Sequence, residues 1–171
     1  MPATYTLIAS TTLSTTSTLI TFSSIPATYT DLVLRFSARL GNAGSDDWTI
    51  QPNGSNTNGT SRMLYRDGSQ ISYPPASTSN ASLLLGKVPG TSITSNTFGS
   101  CEVYIPNYTG STAKMVSCMS IMENNAVVLQ YIHATAGLYN NTTALTSLDV
   151  RGGGSQFVSG SSFWLYGISK S

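Results

Sequence analysis

The sequence predicts an all-β fold, an antiparallel β-sandwich that is jelly-roll-like, on three observations. No window of about a dozen residues sustains the apolar repeat of a helix, near 3.6 residues. Short runs alternate apolar and polar side chains and are rich in β-branched and aromatic residues. Turn-forming clusters such as "PNGSNTNG", "RDGS", "PNYTGS", "ENNA" and "RGGGS" separate those runs. Many short strands at this spacing build a sandwich or a barrel. The expectation is an eight-stranded jelly roll with extra edge strands, in a single domain over residues 1–171.

The strands follow in order. Tyr5–Ser10 and Thr18–Ser23 open the chain, and a proline corner at Pro26 leads to the most regular run, Asp31–Leu40. There Leu32, Leu34, Phe36, Ala38 and Leu40 take one face, while Val33, Arg35, Ser37 and Arg39 take the other. Asp47–Gln51, Thr60–Arg66, Gln70–Tyr73 and Ser82–Lys87 come next, interrupted by two longer irregular segments, Asn42–Gly59 and Pro74–Thr97. Gly99–Ile105 and Ala113–Met122 form a hairpin. A turn near Tyr108–Gly110 would set Cys101 and Cys118 opposite each other. Directly opposed antiparallel positions fit disulfide geometry poorly, so two buried free thiols are expected. Val127–Ala136 and Leu145–Arg151 lead to the last strand, Ser162–Ile168. That strand is apolar on both faces, with Phe163 and Leu165 on one side and Trp164, Tyr166 and Ile168 on the other. Such a strand is either central in a layered core or covered by a partner, which makes Trp164 and Tyr166 candidate subunit contacts.

Composition narrows the function. Only 9% of the 171 residues are charged and the net charge is +1, so no basic footprint for nucleic acid or an anionic membrane is present. Serine (27) and threonine (23) replace the missing charge. A surface of hydroxyls with almost no net charge favours self-association and is insensitive to ionic strength. No apolar run approaches the length of a membrane-spanning helix. The opening "MPATYTLIAS" lacks the basic and apolar regions of a secretory signal, so the expected site of synthesis is a cytoplasm.

Catalytic constellations are not visible. The single histidine, His133, shares a face with Val127, Leu129 and Tyr131 and reads as a satisfied strand histidine rather than a triad or metal member. The seven acids are scattered, apart from the adjacent Asp46 and Asp47, which lack the spacing of a calcium loop. No G-x-S-x-G elbow is present, and "RGGGS" at Arg151–Ser155 has no phosphate-loop spacing. Six N-x-[ST] sequons follow from the abundance of Asn, Ser and Thr. The expectation is a non-enzyme with no cofactor and no metal.

Two stretches carry a family resemblance: "YTLIASTTLSTTSTLITFSSIPATYTDLVLRFSAR" at the start and "GSSFWLYGISKS" at the end. They resemble the opening and ending of small virion proteins of tailed bacteriophages. Such proteins are capsid decoration (cement) subunits or tail-associated fibres and adhesins. The resemblance covers roughly the first 40 and last 12 residues, and it transfers no functional residue. It implies a place in the virion, assembly in a bacterial cytoplasm, and the major capsid protein or another virion protein as partner. It also favours a homo-oligomer, for which a trimer at local three-fold positions is the expectation. Arg35 and Arg39 then form a candidate docking face, since guanidinium groups bond carboxylates and carbonyls in pairs. The alternative is a receptor- or glycan-binding module of a tail fibre, using Tyr65, Tyr73, Tyr108 and Tyr139 near turns.

Overall fold

The computed structural model describes residues 4–66, 71–72, 77–124 and 131–169, and no helix occurs among them. The strands are β1 (Tyr5–Thr12), β2 (Leu19–Phe22), β3 (Asp31–Ala38), β4 (Ser45–Pro52), β5 (Gly59–Arg66), β6 (Ile71–Ser72) and β7 (Ser77–Ala81). They continue with β8 (Leu83–Pro89), β9 (Gly99–Ile105), β10 (Lys114–Met122), β11 (Tyr131–Tyr139), β12 (Leu148–Gly152) and β13 (Ser162–Ile168). One sheet has the order β1-β13-β3-β9-β10-β11-β5-β6, with β7 also paired to β5, and the other has the order β2-β12-β4-β8. All pairings are antiparallel.

Within this arrangement lies a jelly roll. Two four-stranded layers, β1-β13-β3-β9 and β2-β12-β4-β8, are visited in turn along the chain, except that β4 and β8 follow one another in the second. The additional strands enter in two places, β5 to β7 between β4 and β8, and β10 with β11 between β9 and β12. These insertions pair with each other through β11 and β5 and widen one sheet to nine strands. The predicted jelly-roll sandwich with extra edge strands is therefore present.

One apolar cluster fills the space between the sheets, drawn from alternate residues of both. Its centre is aromatic. Phe36 meets the edge of Trp48 at 4.6 Å and stacks on Phe163 at 5.2 Å, while Phe157 contacts Phe163 at 5.1 Å. Each such ring is buried, and full burial of a side chain of this size stabilises the fold by about 1.5–3 kcal/mol. Ser120 ties the layers together. Its hydroxyl donates to the Lys87 carbonyl at 2.8 Å and accepts from Trp48 Nε1 at 3.3 Å. Gly86 permits this approach, because a Cβ there would stand 2.6 Å from Ser120 Cβ.

Three details depart from the sequence reading, and parts of two predicted strands lie outside the described residues. Part of the segment read as irregular, Pro74–Thr97, is β7, whose "STSNA" has no apolar alternation and pairs with β5. Of the predicted strand Gln70–Tyr73 only Ile71–Ser72 is described, and residues 127–130 of the predicted Val127–Ala136 also lie outside the described residues. The hairpin register is shifted by two, so that Cys101 faces Ser120 and Cys118 faces Val103. Both thiols are free and buried. The shift arises because the connection runs from Pro106 to Ala113, where buried Tyr108 donates its hydroxyl to the Pro26 carbonyl. Lys114, also buried, donates to the carbonyls of Gly110 at 2.7 Å and Thr112 at 2.5 Å.

The third correction concerns Arg39, which does not share an exposed face with Arg35. Strand β3 ends at Ala38, and the Arg39 side chain is only 7% exposed. Its guanidinium donates to the carbonyls of Ile93 (2.8 Å), Thr94 (2.9 Å) and Thr97 (2.9 Å), fastening the loop before β9. Removing it takes a charged donor from the buried Ile93 carbonyl and from the carbonyls of Thr94 and Thr97. Arg39→Ala should therefore lower unfolding free energy by on the order of 3 kcal/mol, measured by urea titration. Arg35→Ala, at an exposed ion pair, should cost below about 1 kcal/mol in the same assay.

Candidate functional site

The two outer faces of the sandwich differ in chemistry. On the four-stranded sheet, polar groups are bonded to each other. Asp149 accepts from Thr21 Oγ1 at 2.7 Å and lies 3.7 Å from Arg151, whose Nε donates to Gln51 Oε1 at 2.9 Å. The nine-stranded sheet is the opposite. The eight exposed large hydrophobic residues found among the described residues are Tyr5, Leu7, Leu64, Ile71, Met115, Met119, Ile121 and Ile132. All stand on the outer face of this sheet.

Cross-strand register places these side chains in rows. Trp164, Arg35, Glu102, Met119, Ala134 and Leu64 stand side by side on β13, β3, β9, β10, β11 and β5. The next row holds Tyr166, Val33, Tyr104, Ser117, Ala136 and Arg62. A concavity of about 720 Å³ opens across β9, β10, β11 and β5, between Tyr104, Glu102, Met119, Ala134, Leu64 and Arg62. The exposed apolar residues of β10, β11, β5 and β6 gather on one side of this face, and Tyr5 and Leu7 of β1 lie apart from them.

Charge on this face is sparse and asymmetric. Arg35 Nε donates to Glu102 Oε2 at 2.6 Å, with both side chains about half exposed (49% and 51%). The Arg35 guanidinium also lies 5.6 Å from the Tyr5 ring centroid. Asp31 is already occupied, accepting from the Tyr104 hydroxyl at 2.8 Å and the Asn107 amide at 2.9 Å. Arg62 and Arg66 are exposed on β5 and form no ion pair among the described residues.

Of the residues singled out from sequence, Arg35, Trp164 and Tyr166 come together on this face, and a small hollow is lined by all three. Trp164 and Tyr166 are half-buried beside their neighbours, while Phe163 and Leu165 are fully inside. Arg39 is elsewhere, under its loop. Tyr108 and Tyr139, offered as sugar-stacking groups, are buried, Tyr65 packs against His133, and Tyr73 lies outside the described residues. The methionines and isoleucines of β10 and β11 were missed. Their signal was the run "KMVSCMSIM", apolar on both faces of one strand.

Among the described residues the remaining reactive groups do not assemble into a catalytic cluster. Asp47 pairs with Lys87 at 2.7 Å, and Asp46 accepts from Asn42 Nδ2 at 3.1 Å. No group of three or more metal-ligating side chains occurs among the described residues. Burial pushes the Cys101 thiol up to about 12 and raises Cys118 as well, so neither is a ready nucleophile. His133 is buried, and its ring packs beside those of Tyr65 and Tyr131, each at 5.4 Å, in a three-ring cluster whose tyrosines are 6.4 Å apart. Its Nδ1 has no hydrogen-bond partner among the described residues, so the histidine that the sequence reads as satisfied leaves that nitrogen unpaired.

Fold and face together define the class: a jelly-roll sandwich with one polar face and one exposed apolar sheet. No protein-family model matches the chain, and no curated protein matches it. Among solved structures it is similar to an exo-inulinase from Aspergillus awamori, at 12% identity and a TM-score of 0.42, over 96% of this chain. The chain spans 29% of that enzyme's length. It is also similar to the lectin UEA-II complexed with galactose, at 8% identity and a TM-score of 0.18, over 94% of this chain and 99% of that one. Lectin II from Ulex europaeus matches at 9% identity and a TM-score of 0.17, over the same shares.

The buried histidine generates a pH dependence. Burial chiefly, with repulsion from Lys87, lowers the His133 pKa to about 4, partly offset by Asp47. The unfolded chain takes up this proton near pH ~6.5. Between those values the unfolded state binds more protons, so stability must fall as pH drops from about 6.5 towards 4. The difference is about 3 kcal/mol at full extent. Urea titrations at pH 7 and pH 4 should show that loss in the parent chain, and His133→Phe should remove most of it.

Proposed function

We propose that the chain is a non-enzymatic structural subunit of a tailed-bacteriophage virion, of the capsid decoration (cement) kind. Its partner would be the major capsid protein or another virion protein. The observation that carries this reading is the concentration of exposed large apolar side chains on one sheet face of a charge-poor jelly roll. A chain built to remain alone would place charge there. The resemblance at the two ends adds support, because both stretches meet in space. The first supplies β1 and β3, the second supplies β13, and the three strands are adjacent in the sheet.

The mechanism would be thermodynamic linkage. A subunit that binds the assembled shell and not its dissociated parts stabilises the assembled state by RT ln(1 + [L]/Kd), about 2.7 kcal/mol at a hundredfold excess over Kd. Arg35 remains the candidate charged contact, since it is exposed, whereas Arg39 has a structural role.

The test is reconstitution. Purified protein added to particles lacking it should bind in hundreds of copies per head, as the resemblance implies, and raise the temperature of shell disruption. Raising salt tenfold should change occupancy little, because screening acts on exposed charge. Arg35→Ala should reduce occupancy while leaving the melting transition of the isolated chain unchanged. Binding confined to tails, in a few to tens of copies, would favour the adhesin reading. Release of fragments from host polysaccharide would make the chain an enzyme.

A further inference from the structure

We propose that the hollow over β13, β3 and β9, on the outer face of the wide sheet, binds one neutral sugar ring. This goes beyond the virion reading and does not depend on it. It uses none of the tyrosines that the sequence suggests for sugar. The exposed methionines and isoleucines lie to one side of the hollow, from β10 onward.

Local sequence makes the hollow. Each of the three strands carries a serine two residues from a large side chain: Ser162 and Trp164, Ser37 and Arg35, Ser100 and Glu102. Residues two apart share a face, and the register sets serine beside serine and large beside large. The result is a recess of about 290 Å³, with the short Ser37 and Ser100 beside the taller Trp164, Tyr166, Arg35 and Glu102. That is just under the roughly 300–1,000 Å³ of small-molecule sites, which suits a single ring rather than a chain.

The polar groups around it are available. Arg35 donates from Nε to Oε2 of Glu102, which leaves both Nη atoms as donors and Oε1 as an acceptor. Trp164 Nε1 and the hydroxyls of Tyr166 and Ser37 form no hydrogen bond among the described residues. The buried side-chain atoms without a partner are elsewhere, on Asn42 and His133, so these groups face water.

Charge and geometry select the ligand. Arg35 and Glu102 cancel, so the hollow draws neither anion nor cation by net charge, yet it holds a donor next to an acceptor. Adjacent ring hydroxyls, each both donor and acceptor, fit that pair with charge-assisted hydrogen bonds. The indole of Trp164 supplies an apolar wall with one polar edge, against which the C–H face of a pyranose lies. A hydrocarbon would desolvate the ion pair without bonding it, and a carboxylate would meet the charge of Glu102.

Tryptophan fluorescence and ligand-detected NMR of the purified chain test this with the methyl pyranosides of glucose, galactose, mannose and N-acetylglucosamine. At least one should bind with millimolar affinity, as so few atoms in an open hollow permit. It should also shift the emission of Trp164, since Trp48, the other tryptophan, is buried in the core. By NMR, Trp164→Ala should weaken binding at least about tenfold and Glu102→Ala about fivefold. Met119→Ala, on the apolar side, should leave it within about twofold. The methyl glycoside of glucuronic acid should bind no better than that of glucose. Circular dichroism and urea unfolding confirm that each variant folds. Glu102 is half exposed, so its variant decides the matter even if Trp164→Ala does not fold. No binding by any of these sugars, binding indifferent to either substitution, or tighter binding of the glucuronide would overturn the proposal. Arg35, the candidate shell contact, is unchanged in all of these variants, and particle occupancy is a separate measurement, so either reading can fail alone.

Discussion

Everything in this molecule depends on the closing strand. β13 lies between β1 and β3, so the last strand of the chain completes hydrogen bonding for the first and the third. Its Phe163 and Leu165 enter the core, where Phe163 joins Phe36 and Phe157 in the aromatic centre. Gly167 lets Tyr29 lie against the strand, since a Cβ there would stand 2.2 Å from the ring. Until this segment is in place, β1 and β3 have no shared neighbour. Contacts of such sequence separation carry a high entropic cost before they are formed, which makes this a slow-folding topology.

The same closure creates the two-sided character of the wide sheet. Inner residues of β3, β9, β10 and β13 are covered by the four-stranded layer, while among the described residues no second sheet lies over their outer face. Insertion of β10 and β11 between β9 and β12, paired to β5, extends that uncovered surface beyond the eight-stranded jelly roll. The extension brings the exposed methionines and isoleucines together, and it separates Glu102 from the β5 arginines by the width of two neutral strands. One strand here serves the core with one face and carries exposed apolar side chains on the other.

The two arginines of β3 and its end show how local pattern and tertiary role diverge. Four positions apart, they fall on one side of an ideal strand. Only Arg35 remains there, because β3 stops at Ala38 and the chain turns. Arg39 is drawn beneath the loop before β9, where three carbonyls need a donor. Scarcity of charge therefore does not mean that each remaining charge is for a partner. Buried Lys114, bonded to the turn carbonyls of Gly110 and Thr112, serves the same structural purpose.

Sequence alone determined the fold class, the position of most strands and the absence of a recognisable catalytic motif. Period-two alternation and turn residues are local properties, and Gly99–Ile105 and Ser162–Ile168 could be read from them to the residue. Tertiary structure decided the rest. "STSNA" is a strand by its pairing with β5, and the cysteine register followed from Tyr108 being buried in the core. Alternation separates two faces of a strand without saying which is covered, so Met115, Met119 and Ile121 could not be distinguished from core residues in β10. That choice belongs to the stacking of sheets, which depends on pairings between residues far apart in the chain.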